Sequence, residues 1–120
     1  MLVDFWATWC KPCTEEFGHY DQEYYDLLKG HNISPLFISI DEASENEKWM
    51  EKAKDLGLDG YHVRADSTLR VSVMRRFFRS GNVAMPRYVL IDEHGRVVSD
   101  KFIRRSNPRF KDELSRVFKD

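Results

Sequence analysis

Two cysteines stand three residues apart, Cys10 and Cys13, with Lys11 and Pro12 between them, and the chain has no other cysteine. Thiols at this spacing suit thiol–disulfide exchange, half of a zinc site, or a plain structural crosslink. Zinc needs two more ligands. There is no second cysteine pair, and the four histidines at 19, 31, 62 and 94 have no metal-ligand spacing, so no metal site is expected. The flanking residues favour exchange. The apolar run from Leu2 to Ala7 reads as a buried strand, and Thr14, Glu15 and Glu16 open a helical stretch. Helix-start N–H groups are unpaired and carry partial positive charge, so a thiolate at Cys10 would be held there with a lowered pKa. Cys13 lies one turn on and faces the same side, where it can attack a mixed disulfide at Cys10 and release the substrate reduced. Pro12 has no N–H to lose in a first turn and pre-sets the helical φ. Lys11 adds a cation that favours thiolate and thus the reduced form, making the pair more oxidising.

Two further positions could take part. Asp4 interrupts the apolar strand, and a buried carboxylate costs free energy unless it has a partner or a task. It is either a buried proton acceptor or an exposed acid at a strand end. Met85-Pro86 precedes a second apolar run, Tyr88 to Ile91, where a proline is ordinary at a strand start.

The elements that must carry these residues follow from periodicity. A helical pattern runs from Cys10 to about Leu28, with Phe17, Tyr20, Tyr24, Leu27 and Leu28 as its apolar stripe and Gly30 as its cap. Ile33 to Ile40 reads as a second buried strand with Pro35 near its start, giving a parallel, right-handed βαβ unit. Ser44 to Gly57 is a helix with a capping-box pattern at Ser44 and Glu47 and a buried side of Trp49, Ala53 and Leu56. Tyr61 to Arg64 is a short strand. Asp66 opens a helix through Phe78, and Arg75, Arg76 and Arg79 offset the dipole at its end. Ser80 to Ala84 is a loop. Asp92 to Arg96 turns a hairpin at Gly95, Val97 to Ile103 returns, and Asn107-Pro108 starts a last helix with Phe110, Leu114, Val117 and Phe118 inward.

At 120 residues, one domain is expected. A 42% hydrophobic content with 13% aromatics makes it globular. Nineteen Lys and Arg against 20 Asp and Glu leave a formal charge of −1, which gives no general pull toward nucleic acid or anionic membrane. No apolar run reaches the ~18 residues of a transmembrane helix. There is no signal-peptide pattern, and the chain begins inside a strand, so an upstream segment is expected to be missing.

Phe5-Trp6-Ala7-Thr8-Trp9-Cys10-Lys11-Pro12-Cys13 resembles the active-site segment of the thioredoxin superfamily, and the whole chain is similar to TlpA/ResA-like bacterial thiol–disulfide oxidoreductases. The resemblance implies an α/β thioredoxin fold: a mixed central sheet flanked by helices, here lacking the family's N-terminal strand or hairpin. It implies that Cys10 attacks, Cys13 resolves, and Asp4 takes a proton from Cys13. It implies a cis bond at Met85-Pro86, with Met85 and Pro86 facing the cysteine pair and Met85 pairing its backbone with the substrate. Trp9 shields the disulfide and shapes the contact surface. Partners would be proteins with disulfides and an upstream thiol–disulfide electron donor, with no cofactor. Such proteins are often exported, so the periplasm or cell envelope is the implied location and the cytoplasm the alternative. Superfamily potentials span about −270 to −120 mV, and a reductant is favoured over an oxidant. Rival readings are a copper-binding module using both thiolates, a non-catalytic interaction domain, and a peroxidase of the peroxiredoxin kind. Against the last, Ala7 stands where a Thr or Ser is wanted, three before the cysteine.

Overall fold

The computed structural model describes residues 1–79, 81 and 83–118. Its frame is a sheet of β1 (Leu2–Trp6), β2 (Pro35–Ser39), β3 (Tyr61–Arg64), β4 (Arg87–Ile91) and β5 (Val97–Phe102). The strand order is β3-β2-β1-β4-β5. The β1–β2 and β2–β3 pairs are parallel, while β1–β4 and β4–β5 are antiparallel, so the sheet is mixed. All five residues of β1 are buried. That is why its sequence is a continuous apolar run: a strand covered on both faces has no wet side to alternate toward. Pro35 begins β2, as a residue without a backbone donor should.

Helices α1 (Lys11–Phe17), α2 (Gln22–Gly30), α3 (Asn46–Asp55), α4 (Ser67–Phe77) and α5 (Phe110–Val117) flank the sheet. Two apolar clusters result. One joins Phe5, Phe37, Ala53, Val73, Phe78 and Val89 to both cysteines. The other joins Leu2, Tyr24, Leu28, Tyr88, Leu90, Phe110 and Leu114. Tyr88 and Leu90 serve one cluster and Val89 the other, as strand alternation requires.

The helical stretch expected from Cys10 to Leu28 is in fact two helices. Gly18 ends α1, and the N–H groups of Gly18, His19 and Tyr20 bond tightly back to Glu15, Glu16 and Phe17. Asp21 then caps α2 by accepting from the Tyr24 N–H at 2.9 Å. The apolar period runs through both helices, but a local acid cap and a glycine break it, and the break turns Tyr20 toward the sheet. At the far end Asn32, not Gly30, takes the left-handed conformation, at φ 58°.

The capping box at Ser44 and Glu47 does not form. Residues Ala43–Glu45 make a 3₁₀ turn, and α3 starts at Asn46 without a side-chain cap. Leu58 is buried where Leu56 was expected, because α3 ends at Asp55 and the chain turns at Gly57. Asp66 caps α4 through the Leu69 N–H at 2.8 Å, and Gly95 turns the hairpin at φ 78°. In the loop expected over Ser80–Ala84, Ser80 and Asn82 lie outside the described residues.

Gly60 has φ 152°, and a Cβ there would stand 2.8 Å from the Pro35 carbonyl oxygen at the edge of β2. Both the backbone conformation and the space exclude a side chain. Gly60→Ala is expected to destabilise the fold by about 1–3 kcal/mol in urea unfolding, with the disulfide still formed. An unchanged midpoint would show that β2 and β3 shift apart freely.

Candidate active site

Cys10 and Cys13 are joined in a disulfide with their Cα atoms 5.3 Å apart. Cys10 is the N-cap of α1, and its Sγ accepts the Cys13 backbone N–H at 3.3 Å. Lys11 and Pro12 are the first two helical residues, and both are exposed. α1 has only seven residues. The stabilisation of an anion here therefore comes from first-turn N–H groups, where a helix exerts most of its dipole effect anyway. The two sulfurs are not equivalent: Cys10 is 6% exposed and Cys13 fully covered. Trp9, 63% exposed beside Cys10, presents its ring on the surface.

A buried network holds the turn that leads into Cys10. The carboxylate of Asp41, just past β2, accepts the Thr8 N–H at 3.1 Å, the Thr8 hydroxyl at 2.7 Å and the Ser39 hydroxyl at 2.5 Å. Lys52 of α3 donates to the Thr8 carbonyl at 2.8 Å, and Arg70 of α4 donates to the Asp41 carbonyl at 3.1 Å. Thr8, Ser39 and Asp41 are all buried. The sequence reading missed Asp41. Its signal is the acidic pair Asp41-Glu42 closing an apolar strand parallel to the one that leads into the cysteines.

Asp4 is buried on β1 at 1% exposure. Its Oδ2 accepts the Tyr20 hydroxyl at 2.6 Å, and Oδ1 has no partner among the described residues. Its proton-binding range is displaced mainly by burial, which pushes the carboxyl up to about 8. The Tyr20 hydrogen bond pulls it down, and the charge of Glu16 pushes it further up. No hydrogen bond joins Asp4 to either sulfur among the described residues. Glu16, one of the helix-opening residues, is a second acid with no functional signal in the sequence. It is buried, three residues beyond Cys13 on the same helical face, and accepts the Ser106 N–H and hydroxyl at 2.8 and 2.7 Å.

The Asp4 displacement fixes a sign for stability. An acid raised on folding holds a proton that the unfolded chain, titrating near 3.8, has already released. Its contribution is full below that value and is lost as pH rises toward about 8. Urea unfolding of wild type is expected to lose on the order of a few kcal/mol relative to Asp4→Asn across that window. Parallel pH curves for the two proteins would show that Asp4 is ionised in the fold throughout.

Met85 and Pro86 are buried ahead of β4, and the bond between them is cis. Met85 packs in the same cluster as both cysteines, so its thioether is committed to the interior. Arg87 donates to the Phe77 carbonyl and, at 2.9 Å, to the Asp100 carbonyl, which ties this segment to α4 and β5. A groove of about 590 Å³ runs beside Pro86, lined among others by Arg87, Tyr88, Lys101 and Arg104. Among the described residues no three His, Cys, Asp or Glu side chains converge as metal ligands, and no helix is long and apolar enough to cross a membrane.

A model of the AhpC/TSA family matches residues 1–99. The thiol-disulfide oxidoreductase ResA of Bacillus thuringiensis subsp. konkukian is 25% identical over 117 residues, covering 98% of this chain and 62% of that protein. ResA of Geobacillus thermodenitrificans is 31% identical over 100 residues, 81% of this chain and 51% of that protein. The chain therefore spans between about half and two thirds of the length of these curated relatives. Among solved structures, a thiol:disulfide interchange protein from Bacteroides sp. superposes with a TM-score of 0.71 at 18% identity, covering 99% of this chain and 72% of that one. The thioredoxin domain of a thiol-disulfide oxidoreductase from Bacteroides vulgatus gives 0.71 at 21%, covering 98% and 77%. These likenesses establish the fold as thioredoxin-like.

Proposed function

This chain belongs to the AhpC/TSA family, and from that premise we propose that it is a thiol–disulfide oxidoreductase that reduces disulfides of protein substrates through Cys10 and Cys13. The observation that carries this reading is a disulfide at the first turn of α1 with Cys10 as the helix cap. ResA, the relative compared above, bears the name of this activity.

In this reading an upstream dithiol first reduces the pair. The Cys10 thiolate, held by first-turn N–H groups with Lys11 and Pro12 tuning its potential, attacks a substrate disulfide. One substrate sulfur leaves as a thiolate and takes a proton from solvent. Cys13 then gives its proton to Asp4 and attacks Cys10 Sγ, which expels the second substrate sulfur as a thiolate. That sulfur also takes a proton from solvent, Asp4 later releases its own, and the pair is oxidised while the substrate leaves as a dithiol. Trp9 forms the contact surface, and Met85 and Pro86 offer backbone to the substrate chain. The 120 residues act as one domain, in the periplasm or cell envelope.

With dithiothreitol as donor, catalytic amounts of the protein are expected to accelerate insulin disulfide reduction. Faster turnover of hydrogen peroxide than of insulin would move the chain to the peroxidases of its family. Stoichiometric Cu(I) binding without insulin turnover would make it a metal-binding module.

A further inference from the structure

Asp4 ends a chain of hydroxyls whose direction is set once Asp4 is ionised. Tyr20, in the break between α1 and α2, donates to Asp4 Oδ2 at 2.6 Å. The Tyr20 oxygen also meets the hydroxyl of Tyr88 on β4, and the Tyr88 oxygen accepts the backbone N–H of Arg105 at 3.5 Å. A phenol carries one proton. With Asp4 ionised, Tyr20 gives its own to the carboxylate, so Tyr88 is the donor between the two rings. Every donor from Arg105 inward therefore points at the carboxylate.

We propose that Tyr20 and Tyr88 are positioning residues that keep the buried Asp4 able to become a carboxylate, and so to take the Cys13 proton. The inference rests on the reading of Asp4 as the proton acceptor for Cys13. Burial alone opposes a negative charge on Asp4, and a charge-assisted hydrogen bond is the force that offsets it. A donor that is itself hydrogen-bonded from behind is a stronger donor, which is the part assigned to Tyr88. Both phenols stay protonated, because burial and the nearby Asp4 charge push them upward.

The other groups facing Asp4 do not substitute for this chain. Glu16 on α1 repels the charge. Tyr24 on α2 stacks on Tyr20 at 4.2 Å, but its hydroxyl has no partner among the described residues. The strand neighbour on β2 is Phe37. The Arg105 guanidinium is directed to Asp21 and the Tyr24 ring.

The test follows Asp4 directly by carboxyl ¹³C NMR in the oxidised protein, alongside the pH dependence of mixed-disulfide resolution. Tyr20→Phe is expected to raise the Asp4 titration by about 1 pH unit or more. Tyr88→Phe should raise it by a smaller amount, and the resolution profile should move with it in each case. Tyr24→Phe, which removes a hydroxyl from the same stack but not from the chain, should leave both unmoved. An unmoved Asp4 titration in Tyr20→Phe, or an equal shift in Tyr24→Phe, overturns the inference. If instead Asp4→Asn leaves the resolution profile unchanged, the role of Asp4 itself fails, while the NMR shifts still judge the tyrosine chain.

Discussion

Cys10→Ser is expected to remove insulin reduction almost entirely, by about 10³-fold or more, since the thiol that remains, Cys13, is fully covered. Cys13→Ser should behave differently. It keeps the attacking sulfur and loses the resolving one, so a mixed disulfide with the substrate should accumulate and be visible by mass spectrometry. The asymmetry has a structural cause. Cys10 keeps 6% of its surface exposed, whereas Cys13 is fully covered. Cys10 is also the one that caps α1 and accepts the Cys13 N–H. A serine hydroxyl at position 10 would fill the same cap, so the fold should survive the change, and unfolding measured beside activity separates the two. Trapping of the substrate on Cys13 in the Cys10→Ser protein would reverse the assigned order.

Asp41→Ala is expected to produce the largest loss of stability at a residue outside the apolar core, about 3–5 kcal/mol in urea unfolding. Three buried donors converge on that carboxylate: the Thr8 N–H, the Thr8 hydroxyl and the Ser39 hydroxyl. Removing the acceptor leaves all three in the interior without a partner, and each such group costs about 1–3 kcal/mol. Asp41→Asn, which keeps one acceptor oxygen and the shape, should cost less. Thr8 immediately precedes Trp9 and Cys10, and its carbonyl is gripped by Lys52. The same substitution should therefore slow disulfide exchange beyond what unfolding accounts for, because a loosened turn no longer fixes the Cys10 sulfur. A loss of less than about 1 kcal/mol would show that the cluster rearranges around the gap.

Much of this molecule is legible from residues close together in the chain. Leu2 to Ala7 announces a strand buried on both faces because it is apolar without alternation. Asp66 and Gly95 announce a helix cap and a turn because their bonds and angles are local. The cysteine pair at a helix start follows from its flanks, the apolar run before it and Thr14, Glu15 and Glu16 after it. The single helix drawn from Cys10 to Leu28 fails for a physical reason: its apolar period is continuous, yet Gly18 and the Asp21 cap divide it. The period reports which face is buried. It does not report whether the backbone between two buried turns stays helical.

What only the tertiary structure decides is the partner of each buried polar group. Thr8 finds Asp41 33 positions away, Tyr20 finds Tyr88 68 away, and Glu16 finds Ser106 90 away. Asp4, Glu16 and Asp41 are three acids that the sequence marks only as misfits or as solvated charges. Burying an acid is tolerable only where donors meet it, and those donors come from strands, loops and helices that pack together only once the sheet has closed. Local chemistry thus determines where the reactive sulfurs sit. The folded arrangement determines which donors each buried acid meets and how firmly the turn before Cys10 is held.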